Sequence, residues 1–412
     1  MSTNIKLPKG WKQVKLSEAG KIISGGTPST AVNEYWNGDI SWISPSDLTG
    51  YKNKTIKKGT KSITEIGLKN SSARLMPKGS VLFSSRAPIG YVVIADNELC
   101  TNQGFKSIIP YENVDSNFIY YYLKASKQRA EQVASGTTFK EISLKSFSEL
   151  TFPLPPLPTQ QAIVSKIEEL FSELDNGIAN LKTAQQQLKT YRQSVLKWAF
   201  EGKLTNKKVK DGELPKGWKM VKIADVSKVV RGGSPRPAGD PKFYNGNIPF
   251  LKVADLTKGD GIYLTTYTYT IKEAGLHKTR QIAPNTLLLS NSGATLGVPK
   301  ICMINATMND GVAAFLDLDI RSNHYLYYFW VSKTRELRNI NMGAAQPNLN
   351  TDLIRDYDLP YCSFEEQQLI VQEIESRLSV ADKMEKSINQ SLQQAEALRQ
   401  SILKKAFEGK LV

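Results

Sequence analysis

The chain is written twice. Leu7-Pro8-Lys9-Gly10-Trp11 returns as Leu214-Pro215-Lys216-Gly217-Trp218, an offset of 207 residues. At the same offset Ile23-Ser24-Gly25-Gly26-Thr27-Pro28 returns as Val230-Arg231-Gly232-Gly233-Ser234-Pro235, and Asn102-Gln103-Gly104 as Asn309-Asp310-Gly311. Asp47-Leu48-Thr49 reappears as Asp255-Leu256-Thr257, and Gln160-Gln161-Ala162-Ile163-Val164 as Gln367-Gln368-Leu369-Ile370-Val371. The longest match sets residues 196–204 against residues 403–411. Matches that stay collinear over the whole length mark a tandem duplication, so any fold must be built from two related units. Each unit holds about 205 residues, the size of an ordinary domain.

Both units follow one internal order. A mixed stretch rich in Gly, Ser, Thr, Asn and aromatics comes first. A proline-containing breaker follows, Pro153-Leu154-Pro155-Pro156-Leu157-Pro158 in the first unit and Leu359-Pro360 in the second. Beyond it lies a long stretch almost free of Gly and Pro. The prolines argue against helix before Thr159, which is placed as the N-cap. From there a heptad runs, with Ile167, Leu174, Leu181, Leu188 and Val195 at its a positions and Leu170, Gly177, Ala184, Tyr191 and Trp198 at d. The second helix carries Ile374, Ala381, Ile388, Ala395 and Ile402 at a, with a weaker d stripe. Neither helix can bury its stripe alone, so the two should pair, the small Ala381 and Ala395 leaving room for larger partners. The alternative is two core helices, each packed on its own domain.

The fold class expected is α+β: two tandem mixed α/β globular modules, short-stranded sheets plus helices, separated by two long helices pairing as an antiparallel coiled coil. The domains are placed at residues 1–158 and 214–360, the long helices at 159–200 and 361–412, and a linker at 201–213. Strand-like segments fall at 80–83, 91–95, 106–109 and 286–289. An amphipathic helix is expected at 117–130 and another at 323–338, with their tyrosine runs in the core.

Catalytic machinery is hard to find. Gly25-Gly26 and Gly232-Gly233 extend into neither a dinucleotide nor a P-loop pattern. Cys100, Cys302 and Cys362, with His277 and His324, give no metal-ligand spacing. Asp47 and Asp255 recur, but an Asp before Leu-Thr reads as a local cap. No membrane-length apolar run and no leader-like segment in residues 1–11 is seen, so a cytoplasmic, metal-free binding protein is expected.

The formal net charge of +15 points to a polyanionic partner. Residues 49–86 carry nine basic residues against Glu65 alone, among them Lys52, Lys54, Lys57, Lys58 and Arg86. The matching stretch 257–293 is much less basic and rich in Thr and Tyr. One frame carrying different side chains suits two related ligands read separately. Lysines would supply phosphate affinity; Arg, Asn, Ser and Thr on loops could read base edges. The candidate DNA-binding residues are Gly25, Gly26, Thr27, Lys52, Lys54, Lys57, Lys58, Ser84, Ser85 and Arg86. In the second unit they are Arg231, Gly232, Gly233, Ser234, Arg236, Ser290, Asn291 and Ser292. A tandem protein- or glycan-binding adaptor with a coiled-coil spacer is the alternative, and RNA binding through the aromatic runs a third reading.

The whole chain resembles the specificity (S) subunits of type I restriction–modification systems. Gly25-Gly26-Thr27-Pro28, Ser84-Ser85-Arg86-Ala87-Pro88-Ile89-Gly90, Asn102-Gln103-Gly104, Gln160-Gln161 and residues 199–204 carry the resemblance, with their repeat partners. The second unit departs from it at residues 290–297, which lack the Arg so that no role of Arg86 carries over to Asn291–Gly293, and at Asn309-Asp310-Gly311. The resemblance implies that each module reads half of a bipartite double-stranded DNA site. It implies that the helices space the modules and dock two modification (methyltransferase) subunits, with restriction subunits joining the full complex. S-adenosylmethionine, ATP and Mg would belong to those partners, which would methylate adenine and cleave DNA with ATP; this chain would hold no cofactor.

Overall fold

The computed structural model describes residues 7–136, 140–206, 208–340 and 349–412. Of the N-terminal stretch 1–11, the first six residues lie outside this set. The chain packs as two units, one formed by residues up to 181 together with 389–412, the other by residues 182–388. Each is a module plus part of both long helices. Division in sequence order gives each helix its own span; packing shares each helix between units.

In the first unit a five-stranded sheet runs in the order Gly20–Ser24, Phe105–Pro110, Val81–Ser84, Val92–Ala95, Thr55–Ile56. Its last pairing is parallel and the others antiparallel. A three-stranded sheet (Lys61–Ile63, Trp36–Ile43, Leu99–Thr101) lies beside it, and Lys12–Lys15 pairs antiparallel with Thr151–Leu154. The second unit repeats the plan. Its five strands are Lys228–Arg231, Val312–Leu316, Thr286–Ser290, Pro299–Cys302 and Tyr263–Leu264, and Lys219–Lys222 pairs with Asp358–Tyr361.

The aromatic helices are buried as expected. Asp115 caps Ser116–Ala125 by accepting from Phe118 N at 2.9 Å, and Tyr120, Tyr121 and Tyr122 all face the core. The expected helix 117–130 is broken at Ser126, whose N–H is shared between the Tyr122 and Leu123 carbonyls. A second helix, Lys127–Val133, follows. The counterpart Asn323–Ile340 is unbroken.

The long helices are Leu157–Phe200 and Phe364–Phe407, 44 residues each, or about 66 Å. Thr159 is not the cap. Helix begins two residues earlier with Pro158 in its first turn, where the missing N–H would have had no intrahelical partner anyway. The repeated Gln-Gln anchors each start. Gln160 is buried, its Nε2 donating to the Asn113 and Pro155 carbonyls and its Oε1 accepting from Asp115 N. Gln367 donates likewise to Cys362 O at 3.0 Å.

Within each unit the two helical segments run antiparallel and close on the module. In the first, Ile163 and Ile167 join Ile402, Leu403 and Ala406 in one core with Phe83, Phe118 and Phe152. Phe407 packs edge-on against Phe118 and Tyr122, at 5.2 and 5.4 Å between ring centroids. In the second, Ile370 and Ile374 meet Val195, Ala199 and Phe200, and Phe200 packs on Tyr325 and Phe329. Arginines at equivalent repeat positions cross the helix pair in both units. Arg192 reaches Asp382 at 2.6 Å and Glu385 at 2.9 Å; Arg399 pairs with Asp175.

The a stripe behaves as expected only in part. Ile167, Leu188, Val195, Ile374, Ala381, Ala395 and Ile402 are buried, while Leu174, Leu181 and Ile388 are half-buried. The d positions Tyr191, Trp198, Met384 and Leu398 are exposed. A strict seven-residue repeat drifts about 20° per heptad around a helix of 3.6 residues per turn, so one stripe cannot face the same neighbour over five heptads. Here it turns from partner helix to module.

Both long helices end in the same latch. Gly202 (φ 73°) and Gly409 (φ 69°) are left-handed, and the rings of Pro215 and Pro8 occupy the space a Cβ would need. The recurrence of Leu-Pro-Lys-Gly-Trp and Ala-Phe-Glu-Gly-Lys-Leu is thus one packing constraint seen from both sides. Gly409→Ala should lower stability by ~1–3 kcal/mol from strain plus clash. Gly212→Ala should cost less, since Gly212 is left-handed (φ 83°) with open space around it. Urea unfolding of the two variants measures the difference.

Candidate functional site

Three of the repeated motifs meet in each module. Gly25 sits so close to the Asn102 carbonyl that no side chain fits between them, and Gly232 meets the Asn309 carbonyl in the same way. Ser85 N donates to Gly104 O at 2.7 Å; Asn291 N donates to Gly311 O at 3.0 Å. The Gly-Gly turn, the Asn-Gln/Asp-Gly turn and the loop after Val81–Ser84 or Thr286–Ser290 therefore form one cluster. Its frame is backbone. The side chains on it are free to differ between modules.

In the first module Thr27 donates to Gln103 Oε1, and Gln103 is exposed. Arg86 Nη1 lies 3.3 Å from Glu141 Oε2, and Lys106 Nζ lies 3.1 Å from Glu141 Oε1. Lys106 is nearly fully buried and also donates to Ser85 Oγ at 3.4 Å and Gln103 O at 3.3 Å. In the second module Ser234 donates to Asp310 Oδ1 at 2.7 Å, and Arg231 Nε to the Asp310 carbonyl at 2.5 Å. Ser292 is half-buried beside Gly311, and Arg236 is exposed.

Four proposed contact residues are corrected by burial. Ser84, Ser85, Ser290 and Asn291 are each 0% exposed. Ser84 Oγ donates to Pro88 O and accepts from Tyr91 N; Ser290 Oγ does the same with Thr295 O and Val298 N. These serines shape their loops from within. Asn291 accepts at its carbonyl from Leu349 N, while neither polar atom of its side chain has a partner among the described residues. Gly25 and Gly26 are likewise buried, and Gly232 and Gly233 half-buried, so they act through backbone placement.

The lysine run is divided. Lys54 turns inward to Glu168 at 2.6 Å, which also accepts from Tyr121. Lys57 lies 3.6 Å from Asp96 and Lys78 3.0 Å from it; hydrogen bonding to Lys78 holds the Asp96 carboxyl below the usual range. Lys52 and Lys58 are exposed. Asp47 caps its turn as expected, accepting from Ser44 N and Thr60 N, both at 2.8 Å. Burial raises its pKa, and hydrogen bonds from Ser44 and Thr60 outweigh that and leave it lowered. Asp255 accepts equivalently from Lys252 N and Thr268 N.

Among the described residues no group of three or more His, Cys, Asp or Glu could hold a metal ion, and no helix is long and apolar enough to cross a membrane. Burial pushes the Cys100 and Cys362 thiols up to about 12, far from the reactive range.

A family model for the type I restriction modification DNA specificity domain matches residues 8–188 and again 215–394. The chain belongs to this family. It is 34% identical over 337 residues to the MjaIX specificity subunit of Methanocaldococcus jannaschii, covering 78% of this chain and 76% of that protein. It is 23% identical over 428 residues to the EcoKI specificity subunit of Escherichia coli K12, covering 98% and 90%. Two solved structures share the fold. One, of a type I R-M system, has TM-score 0.70 at 21% identity, covering 98% of this chain and 99% of that one. The HsdS subunit from Thermoanaerobacter tengcongensis has TM-score 0.66 at 20% identity, covering 99% of each.

Glu141 was not singled out from sequence, and no local spacing points to it. It neutralises a buried lysine, so Glu141→Gln should destabilise the specificity-family fold by ~1–3 kcal/mol, less than for a wholly buried pair because Glu141 is 35% exposed. Lys106→Met together with Glu141→Gln should recover most of the loss. Denaturant melts of the single and double variants test this.

Proposed function

We propose that this chain is the non-catalytic DNA-recognition subunit of a type I restriction–modification complex, each module reading one half of a bipartite target. The observation that carries it is the loop cluster, built twice on the same backbone and furnished differently: Thr27, Arg86 and Gln103 in one module, Arg231, Ser234, Arg236 and Asp310 in the other. A duplicated frame with unlike polar side chains suits two unlike half-sites. Family membership leaves the adaptor reading without support.

In this reading the long helices set the spacing between half-sites and dock two methyltransferase subunits, and restriction subunits complete the assembly. S-adenosylmethionine, ATP and Mg enter with those partners, and the complex works in the cytoplasm. Exposed Lys52 and Lys58 contribute sequence-independent phosphate attraction.

Duplex affinity at graded salt tests the reading at its base: log affinity should fall linearly with log salt, by roughly 0.9 for each phosphate neutralised. A flat response would remove DNA as the partner. The spacer role has its own test. One four-residue helical turn inserted after both Ala184 and Ser391 should lengthen each helix by about 6 Å. Sites selected from a random-spacer library should then widen by one or two base pairs, at roughly 3.4 Å each, with their half-sites unchanged. An unaltered spacer would mean the helices do not set it.

A further inference from the structure

Asp310 stands among cations. Its carbonyl accepts from Arg231 Nε at 2.5 Å, its Oδ1 from the Ser234 hydroxyl at 2.7 Å, and its Oδ2 faces Arg236 Nη2 at 3.5 Å. The backbone beneath Arg236 is tied down on both sides. Tyr244 OH donates to Pro235 O at 2.7 Å, and Lys278 Nζ to Arg236 O at 3.3 Å. The Arg236 side chain is nonetheless 70% exposed. It is a guanidinium with a fixed root, one nitrogen beside a carboxylate and most of its surface open to solvent.

The first module builds the same place differently. Ser29 stands at the position equivalent to Arg236, and Gln103 at that of Asp310. The Thr27 hydroxyl occupies Gln103 Oε1, as Ser234 occupies Asp310 Oδ1, so the exposed Gln103 offers its amide N–H groups where Asp310 offers none. The frame is shared and the hydrogen-bonding chemistry is not.

We propose that Arg236, oriented by Asp310, reads a guanine in the half-site of the second module, and that Gln103 is the residue reading the corresponding base in the first. This rests on the reading that each module recognises a half-site. A planar guanidinium matches the O6 and N7 acceptors of guanine with two parallel hydrogen bonds, which a phosphate contact would not convert into sequence preference. Asp310 is a positioning residue: it limits the rotation of Arg236 and lowers the entropy lost when the fork engages a base.

The test is selection of sites from random duplexes by the full-length chain with its methyltransferase subunits. The unaltered protein should return a two-part consensus containing a guanine that one variant class alone affects. Arg236→Ser, which installs the first module's residue, should lower discrimination for that guanine roughly 5- to 150-fold, the equivalent of ~1–3 kcal/mol, in one half-site only. Arg236→Lys should keep overall affinity and fall between the unaltered protein and Arg236→Ser in discrimination, since a lysine reaches the guanine acceptors without the rigid fork. Asp310→Asn should weaken the preference without lowering affinity for unrelated duplex, whereas a merely structural role would lower binding to every sequence alike. Gln103→Ala should alter one position of the other half-site. Retention of both half-sites by Arg236→Ser, or equal losses in both half-sites, would overturn the assignment. Absence of any two-part consensus for the unaltered protein would instead overturn the proposed function.

Discussion

Each module's core is finished by residues from the far end of the other repeat's helix. Phe407 fills the aromatic pocket made by Phe118, Phe152 and Tyr122; Phe200 fills that of Tyr325 and Phe329. Fully burying a side chain of this size contributes about 1.5–3 kcal/mol; Phe200 is buried with Val195 and Ala199 in its core, and Phe407 is partly buried against the core that holds Ile402 and Ala406. Paired helical segments could otherwise slide or fray. Within each unit they are pinned into the globular core, and the Arg192–Asp382 pair in one unit and the Arg399–Asp175 pair in the other add a charge register. Such partly exposed pairs are worth little each, but a slipped register would break all of them at once.

The loop cluster obeys a different rule. Glycine turns press directly on carbonyls of the neighbouring turn, and the serines at 84 and 290 bond to their own loops. Backbone contacts do not depend on which side chains stand beside them. Residues 27, 86 and 103, and their counterparts 234, 292 and 310, can therefore vary in size and charge without moving the loops that carry them. Backbone atoms fix the loops, and side-chain atoms of the same few residues are left to vary.

Most of the architecture was legible because duplication makes its own alignment. Recurrent Gln160/Gln367 and Gly202/Gly409 proved to be anchors of the helix ends, and the buried tyrosine helices followed from their periodicity. Other features were opaque for physical reasons. Burial of Ser84 and Asn291 depends on how a strand enters a loop, which residue type does not reveal. The partners Glu141 for Lys106, and Asp310 for Arg236, lie 35 and 74 residues away, where no local pattern reaches. The exposed d positions Tyr191 and Met384 reflect a stripe rotating around a helix of about 3.6 residues per turn. The Arg–Asp pairs between helices leave a trace in the sequence, since both residues recur at the repeat offset.

The sharing of helices also orders events during synthesis. Residues 182–388 form a continuous stretch, so the second unit has all its core residues once that stretch has left the ribosome. The first unit waits for Ile402, Leu403 and Ala406, made more than two hundred residues after its own strands. Until then the surface around Phe118 and Phe152 stays open, a hydrophobic face that a chaperone or a second nascent chain could occupy. The module translated first is the module completed last.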